Sequence, residues 1–168
     1  MRRALGILVC LLVGVAAPAA AEEGGMQVSI GYSFVKYLED GGGSAPLGVF
    51  VSLSGRKNVT LDLDLGWQRD SEDVLGQTIN LDTFTATAGP RFNFGSGESA
   101  RPFLHVLGGL RHDRVEGESN TAWGGFAGGG VDIKAGESLD VRLGADFQMF
   151  FDNGANVKTL RLGVGLTF

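Results

Sequence analysis

Residues 160–168 read LRLGVGLTF, and their strict alternation decides the fold. Leu160, Leu162, Val164, Leu166 and Phe168 fall on one face. Arg161, Gly163, Gly165 and Thr167 fall on the other. Successive side chains of a β-strand point to opposite sides, so this segment reads as a strand with one apolar face and one polar or very small face. It stops on an aromatic residue with nothing after it to cover the ring.

Working back along the chain, the same period of two recurs. Val59, Leu61, Leu63, Leu65 and Trp67 oppose Thr60, Asp62, Asp64, Gly66 and Gln68. Leu139, Val141, Leu143, Ala145, Phe147 and Met149 oppose Asp140, Arg142, Gly144, Asp146 and Gln148. Eight strands are expected, near Gln27–Tyr37, Pro46–Leu53, Val59–Arg69, Leu81–Phe94, Arg101–Arg111, Thr121–Lys134, Leu139–Phe151 and Val157–Phe168, separated by turn-rich stretches. Glycine is abundant, at 28 of 168 residues, but not periodic, which excludes collagen and solenoid folds.

The N-terminus carries a different signal. Arg2 and Arg3 precede an apolar run from Ala4 to Ala17, broken by Pro18, and Ala19-Ala20-Ala21 offers small residues for cleavage. This is the pattern of a secretory signal peptide over residues 1–21, cut after Ala21, with a single mature domain over 22–168. The run is shorter than the roughly 20 apolar residues of a membrane-spanning helix. Cys10, the lone cysteine, falls within the leader, so the mature chain has neither disulfides nor a thiolate metal site. The full chain has net charge −5; without Arg2 and Arg3 its 19 acids face 12 bases. Such an acidic protein is no candidate for nucleic acid, whose binding demands clustered cations.

A chain with no apolar helical span can enter a bilayer only as strands, and about 9–11 residues of tilted strand suffice to cross. A water-soluble sandwich or lipocalin-like barrel would alternate too, with its apolar face inward. Three features favour the apolar face pointing out. The charged faces are rich in glycine, which suits a narrow interior; the aromatics gather near strand ends; and Phe168 closes the chain. With the N-terminus in the periplasm, Trp67, Phe84, Trp123, Phe147 and Phe151 fall near the outer rim. Phe92, Phe94 and Phe168 fall near the inner rim, so that two aromatic girdles are expected. The stretches Ser54–Asn58, Gly95–Ala100 and Ala135–Ser138 are then inner turns. Glu39–Ala45, Asp70–Asn80, Asp113–Asn120 and Asp152–Asn156 are outer loops.

The polar faces supply an interior. Asp62, Asp64, Asp132, Asp140 and Asp146 face Arg91, Arg111, Lys134, Arg142 and Arg161, with His105 beside them. Five acids against five bases invite a lumenal ion-pair network, since buried charges are costly unless paired. Phe50, Phe103, Leu107 and Phe126 are expected to fill the remaining space. Eight strands enclose just enough room for side chains, so a plugged lumen is expected rather than a diffusion pore; the alternative is a narrow ion path lined by the same residues.

No constellation for chemistry stands out. The histidines are His105, expected inward, and His112, beside Asp113. Neither has the His-x-Ser pairing of a lipid-modifying barrel, and no HExxH or EF-hand spacing is present. No cofactor or metal is expected, and the acids Asp70, Glu72 and Asp73 read as a solvated loop.

Taken with the leader, the amphipathic strands, the aromatic rims and the terminal Phe168, the chain resembles the small outer-membrane β-barrel superfamily. That group includes the OmpA transmembrane domain-like and OmpX-like proteins. The resemblance covers the whole mature chain and implies an all-β, eight-stranded antiparallel up-and-down transmembrane β-barrel in the bacterial outer membrane. It implies contact with outer-membrane lipid, recognition by the barrel-assembly machinery through Leu160–Phe168, a monomer, and a structural or surface-contact role without catalysis. A narrow porin, a lipid-modifying enzyme and a soluble lipocalin-like binder are the alternatives.

Overall fold

The computed structural model describes residues 25–38, 43–74, 77–95, 99–115, 118–152 and 155–168, and the leader expected over residues 1–21 lies outside them. Nine strands follow in order. They are β1 (Met26–Tyr37), β2 (Ser44–Ala45), β3 (Leu47–Gly55), β4 (Val59–Val74), β5 (Gln77–Asn93), β6 (Ala100–Val115), β7 (Glu118–Lys134), β8 (Asp140–Asp152) and β9 (Ala155–Thr167). From β3 onward each strand pairs antiparallel with the next, and β9 returns to pair with β1, which closes the sheet.

The wall nevertheless has eight staves. Both β2 and β3 pair with β1: Tyr32 faces Val49, and Val35 faces Ala45. Three steps along β1 thus match four along its partner, a slip of one residue at Pro46, which has no N–H to offer the ladder. A second proline interrupts the wall without shifting it. Between Ala88↔Gly108 and Arg91↔His105 the β5–β6 register is unchanged, but Gly89 and Pro90 have no partners across that seam.

The pairing fixes the dimensions. Starting at Val28 and following partners around the wall leads through Leu53, Leu63, Ala88, Gly108, Gly125, Met149 and Lys158. The amide of Leu38 then bonds Lys158 O at 2.9 Å, so the circuit arrives ten residues above its start. Eight staves with a shear of ten, at about 3.3 Å per residue and 4.8 Å between strands, give a strand tilt of about 41° and a backbone radius of about 8 Å.

Within that cylinder the side chains sort as the alternation requires. Asp62, Asp64, Asp146 and Arg161 are buried inside, whereas Leu61, Leu63, Leu65, Leu162, Val164 and Leu166 are exposed on the outer wall. A folded protein with its charges inside and its aliphatic side chains outside makes sense only with an apolar solvent around it. Among the described residues, no helix is long and apolar enough to cross a membrane.

Three of the expected outer loops are strand instead. Asp70–Asn80 continues the β4–β5 ladder out to Val74↔Gln77, Asp113–Asn120 continues β6–β7 to Val115↔Glu118, and Asp152 pairs with Ala155. Polar side chains there read as loop, but a hairpin arm with water on both faces needs no apolar stripe. Its main-chain ladder forms regardless of what the faces carry. The β3–β4, β5–β6 and β7–β8 connections lie at the opposite end, with the start of β1 and Phe168. That end is the turn mouth, and the end with the long arms is the hairpin mouth. Gly95 in the β5–β6 turn has φ of 81°, the left-handed region that a side chain disfavours.

On the outer wall Leu63 lies midway along the apolar stretch Val59–Trp67 of β4, and Leu143 lies midway between Leu139 and Phe147 near the start of β8. Arginine at either position should destabilise the barrel by about 2–4 kcal/mol in lipid vesicles, the cost of a midplane charge facing lipid. Urea midpoints check this, and wild-type stability for Leu143→Arg would contradict the facing.

Candidate functional site: a cross-braced lumen

The inward faces of β4–β9 place four aspartates and four cationic side chains in one connected cluster. Arg91 on β5 donates from Nη2 to Asp132 Oδ2 at 2.7 Å. Arg142 on β8 approaches the same carboxylate with Nε at 2.7 Å and Nη2 at 3.0 Å. Arg91 Nη1 also lies 3.8 Å from Asp62 Oδ2. On the other side of Asp62, His105 bridges two carboxylates: Nδ1 is 2.9 Å from Asp62 Oδ2, and Nε2 is 2.8 Å from Asp146 Oδ1. Asp146 then takes Arg161 Nε at 2.9 Å and Nη2 at 2.7 Å, and Arg161 reaches across to Asp64 at 2.7 and 3.1 Å.

The chain of contacts closes its charge. Three guanidinium groups and His105 match Asp62, Asp64, Asp132 and Asp146 when the imidazole carries its second proton. Only that form donates from both ring nitrogens. A network in so narrow a space must be balanced, because an unmatched charge away from water costs several kcal/mol.

Aromatic rings separate the ionic layers. The Arg91 guanidinium sits 3.7 Å from the Phe103 ring centroid, and Arg142 packs on the same ring at 5.0 Å. Arg161 lies 4.5 Å from Phe126 and 5.7 Å from Phe50. Phe50 lies along the inner wall over its cross-strand partner Gly31 on β1 and over Gly165 on β9, where a Cβ would sit 2.7 or 3.0 Å from its ring. Toward the hairpin mouth Leu107, Ala122, Phe126 and Phe150 form an apolar cluster. The neutral residues Gln148 and Thr159 join by a 2.8 Å hydrogen bond there. Between these layers a gap of about 30 Å³ remains, lined in part by Ser52, His105, Gly144 and Arg161. That is room for water but not for an open channel.

The structure divides the other expected lumen residues. Arg111 lies above the cluster, bonded to Asp113 at 2.9 Å and facing the Tyr37 ring at 5.8 Å. Asp140 lies below it, paired with Arg101. Lys134, expected in the network, is exposed at the turn mouth and makes no ion pair among the described residues. The network also draws in residues that the sequence did not single out. Arg142 Nη1 donates to Ser52 Oγ at 2.8 Å, and Gln27 Nε2 donates to Ser54 Oγ at 3.0 Å. Their inward parity was the available signal, but a serine among glycines gives no reason to prefer it.

Of the expected girdle residues, Trp67 pairs with Phe84, and Trp123 stacks on Phe151 with centroids 4.7 Å apart, all toward the hairpin mouth. Phe147 lies four residues further in on the same strand. Phe92, Phe94 and Phe168 lie at the turn mouth, and Phe168 exchanges main-chain bonds with Val28. Trp123 is the most exposed of these, at 66%.

For chemistry, the arrangement offers little. Both nitrogens of His105 are committed to carboxylates. His112 Nδ1 lies 2.9 Å from the Thr121 hydroxyl on the outer face, without a further group orienting the ring among the described residues. No group of three metal-ligating side chains is found among the described residues.

Just beyond Trp67 and Phe84, Arg69 grips Asp82 through two hydrogen bonds of 2.8 and 2.9 Å. Those bonds hold the Asp82 carboxyl below its ordinary value, against opposing desolvation. A depressed carboxylate adds stability above its unfolded pKa, about 4, and loses it as pH falls through the folded value. Both groups are partly exposed, so the contribution is about 0–1 kcal/mol. Arg69→Gln should raise the Asp82 midpoint toward 4 in an NMR titration, about the unperturbed value; an unmoved midpoint would contradict the pairing. Arg161→Met leaves Asp64 and Asp146 short of a buried partner and should destabilise by about 3–5 kcal/mol, read from urea midpoints. Gly144→Ala should be tolerated, as the nearest atom to its Cβ is 3.6 Å away. Gly144→Arg should overfill the gap and lower the midpoint sharply.

Among solved structures, Neisserial surface protein A superposes with TM-score 0.69 at 15% identity, covering 84% of this chain and 95% of that one. The attachment invasion locus protein Ail of Yersinia pestis gives TM-score 0.58 at 20% identity, covering 88% and 100%. The outer membrane protein OprG of Pseudomonas aeruginosa gives 0.58 at 10%, covering 89% and 98%. At such identities the likeness is one of fold. No curated protein matches the sequence. The family model described as the outer membrane protein beta-barrel domain matches residues 5–168, and with an eight-stave wall, apolar outside and ionic inside, this chain belongs to that family.

Proposed function

We propose that this protein is exported, with cleavage after Ala21, and acts as a non-enzymatic, non-conducting barrel of the outer membrane. In this reading its role is structural in the envelope, with the β4–β5 hairpin arm available for surface contact. The observation that carries the reading is the lumen itself. Asp62, His105, Asp146, Arg161 and Asp64 run from wall to wall as a continuous bonded chain, with Phe50, Phe103 and Phe126 between the layers. An ion moving through would have to break several charge-assisted bonds at once, each short and twice the strength of a neutral one. Catalysis has no support from the histidines, for the reasons given above.

The hairpin arm supports the surface role. From the Trp67–Phe84 pair, β4 continues seven residues to Val74, about 23 Å of strand at 3.3 Å per residue, clear of the apolar wall. With the turn mouth in the periplasm, this arm stands outside the cell.

Planar-bilayer recording tests the proposal. Protein whose folding has been verified by a heat-dependent mobility shift on a denaturing gel should insert without steady current. Reproducible unitary steps from the wild type would overturn it and favour a narrow channel.

A further inference from the structure

The turn mouth holds a polar cleft that shares only Asp132 with the lumen network. Arg56, Arg101, Lys134 and Asp140 surround a space of about 190 Å³, with Asp132 at its floor and Glu137 at its edge. The charges around it are not evenly spoken for. Asp132 already receives Arg91 and Arg142, and Asp140 is paired with Arg101. Arg56 and Lys134 make no ion pair among the described residues, and the Arg56 Nε is buried without a hydrogen-bond partner. Glu137 is exposed on the β7–β8 connection. Among the described residues the cleft therefore presents two cations without an ion-pair partner, on a chain whose net charge is −5.

Size and access narrow the occupant. A space of about 190 Å³ has room for a single phosphate or carboxylate group. Arg101, Lys134 and Asp140 share the inward face of their strands with Phe103, Asp132 and Arg142, so the cleft opens to water at the mouth and not to lipid at the wall. A guanidinium beside an ammonium is a donor set that recognises oxyanions.

We propose that the turn mouth is a binding site for a small soluble oxyanion, a phosphate or carboxylate group, held by Arg56 and Lys134. Arg101 completes the cradle and is kept in position by Asp140. The site stands apart from the question of conduction, since the ligand enters and leaves by the same mouth.

The test uses the purified, folded protein in detergent micelles at low chloride, titrated calorimetrically with inorganic phosphate and, separately, with succinate. The wild type should bind at least one of them saturably. The Arg56→Gln/Lys134→Gln double variant should bind at least tenfold more weakly, while Lys57→Gln, on an exposed neighbour, should leave affinity unchanged. A heat-dependent mobility shift confirms that each variant is folded. Preference for phosphate identifies a phosphoryl ligand, and preference for succinate a carboxylate; either supports the site. Absence of saturable binding to the wild type, or equal weakening by Lys57→Gln and the double variant, would overturn it.

Discussion

Everything in this molecule depends on the return of β9 to β1. In hydrocarbon an unpaired N–H or C=O has no water to turn to, so a sheet can cross only if its two edges find each other. The seam from Ser29↔Thr167 to Tyr37↔Thr159 does this, and Phe168 extends it by exchanging bonds with Val28. Closing eight staves at a shear of ten then leaves no freedom in the radius. At about 8 Å to the backbone, side chains from opposite walls must meet. The charges on the inner faces are pressed into contact, and contact is tolerable only because the signs match.

This explains why the interior is ionic at all. A lumen packed with leucine would be stable, yet a strand apolar on both faces would lose the alternation that sets its register. A slip of one residue reverses every side chain, and charges that belong inside penalise that slip heavily. The chain of ion pairs from Asp132 to Asp64 joins β4 through β9, so each of these strands is held in register twice, once by its ladder and once by its side chains. The lumen is thus a device for specifying the wall, whatever the hairpin arm does in the cell.

Much of the fold was legible because the pattern is local. The alternation of Val59–Trp67, Leu139–Met149 and Leu160–Phe168 needs only a period of two, and it gave the number of strands and which face meets lipid. Arg142 with Asp132, and Arg161 with Asp146, are also cross-strand neighbours in register, within reach of a reading that aligns adjacent strands. The partnership of Arg161 with Asp64 was not legible: it spans 97 residues and crosses the lumen, and nothing in either segment points to the other. Lys134 shows a different limit. It has the inward parity of Asp132, but parity says nothing about depth, and two residues nearer the end of β7 a side chain already reaches water. The hairpin arms escaped for the opposite reason. Once a strand leaves the bilayer both faces are wet, and the alternation that marks it disappears while the main-chain pairing continues.

The most direct measurement is oxygen accessibility of spin labels along β8 in lipid vesicles. Residues 22–168 contain no cysteine, so single labels can be placed on that segment without background. Labels at Leu143, Ala145, Phe147 and Met149 should show high oxygen collision rates, and labels at Gly144 and Gln148 low ones, in strict alternation. A uniform profile, or one with the phase reversed, would contradict a closed wall with its apolar face outward.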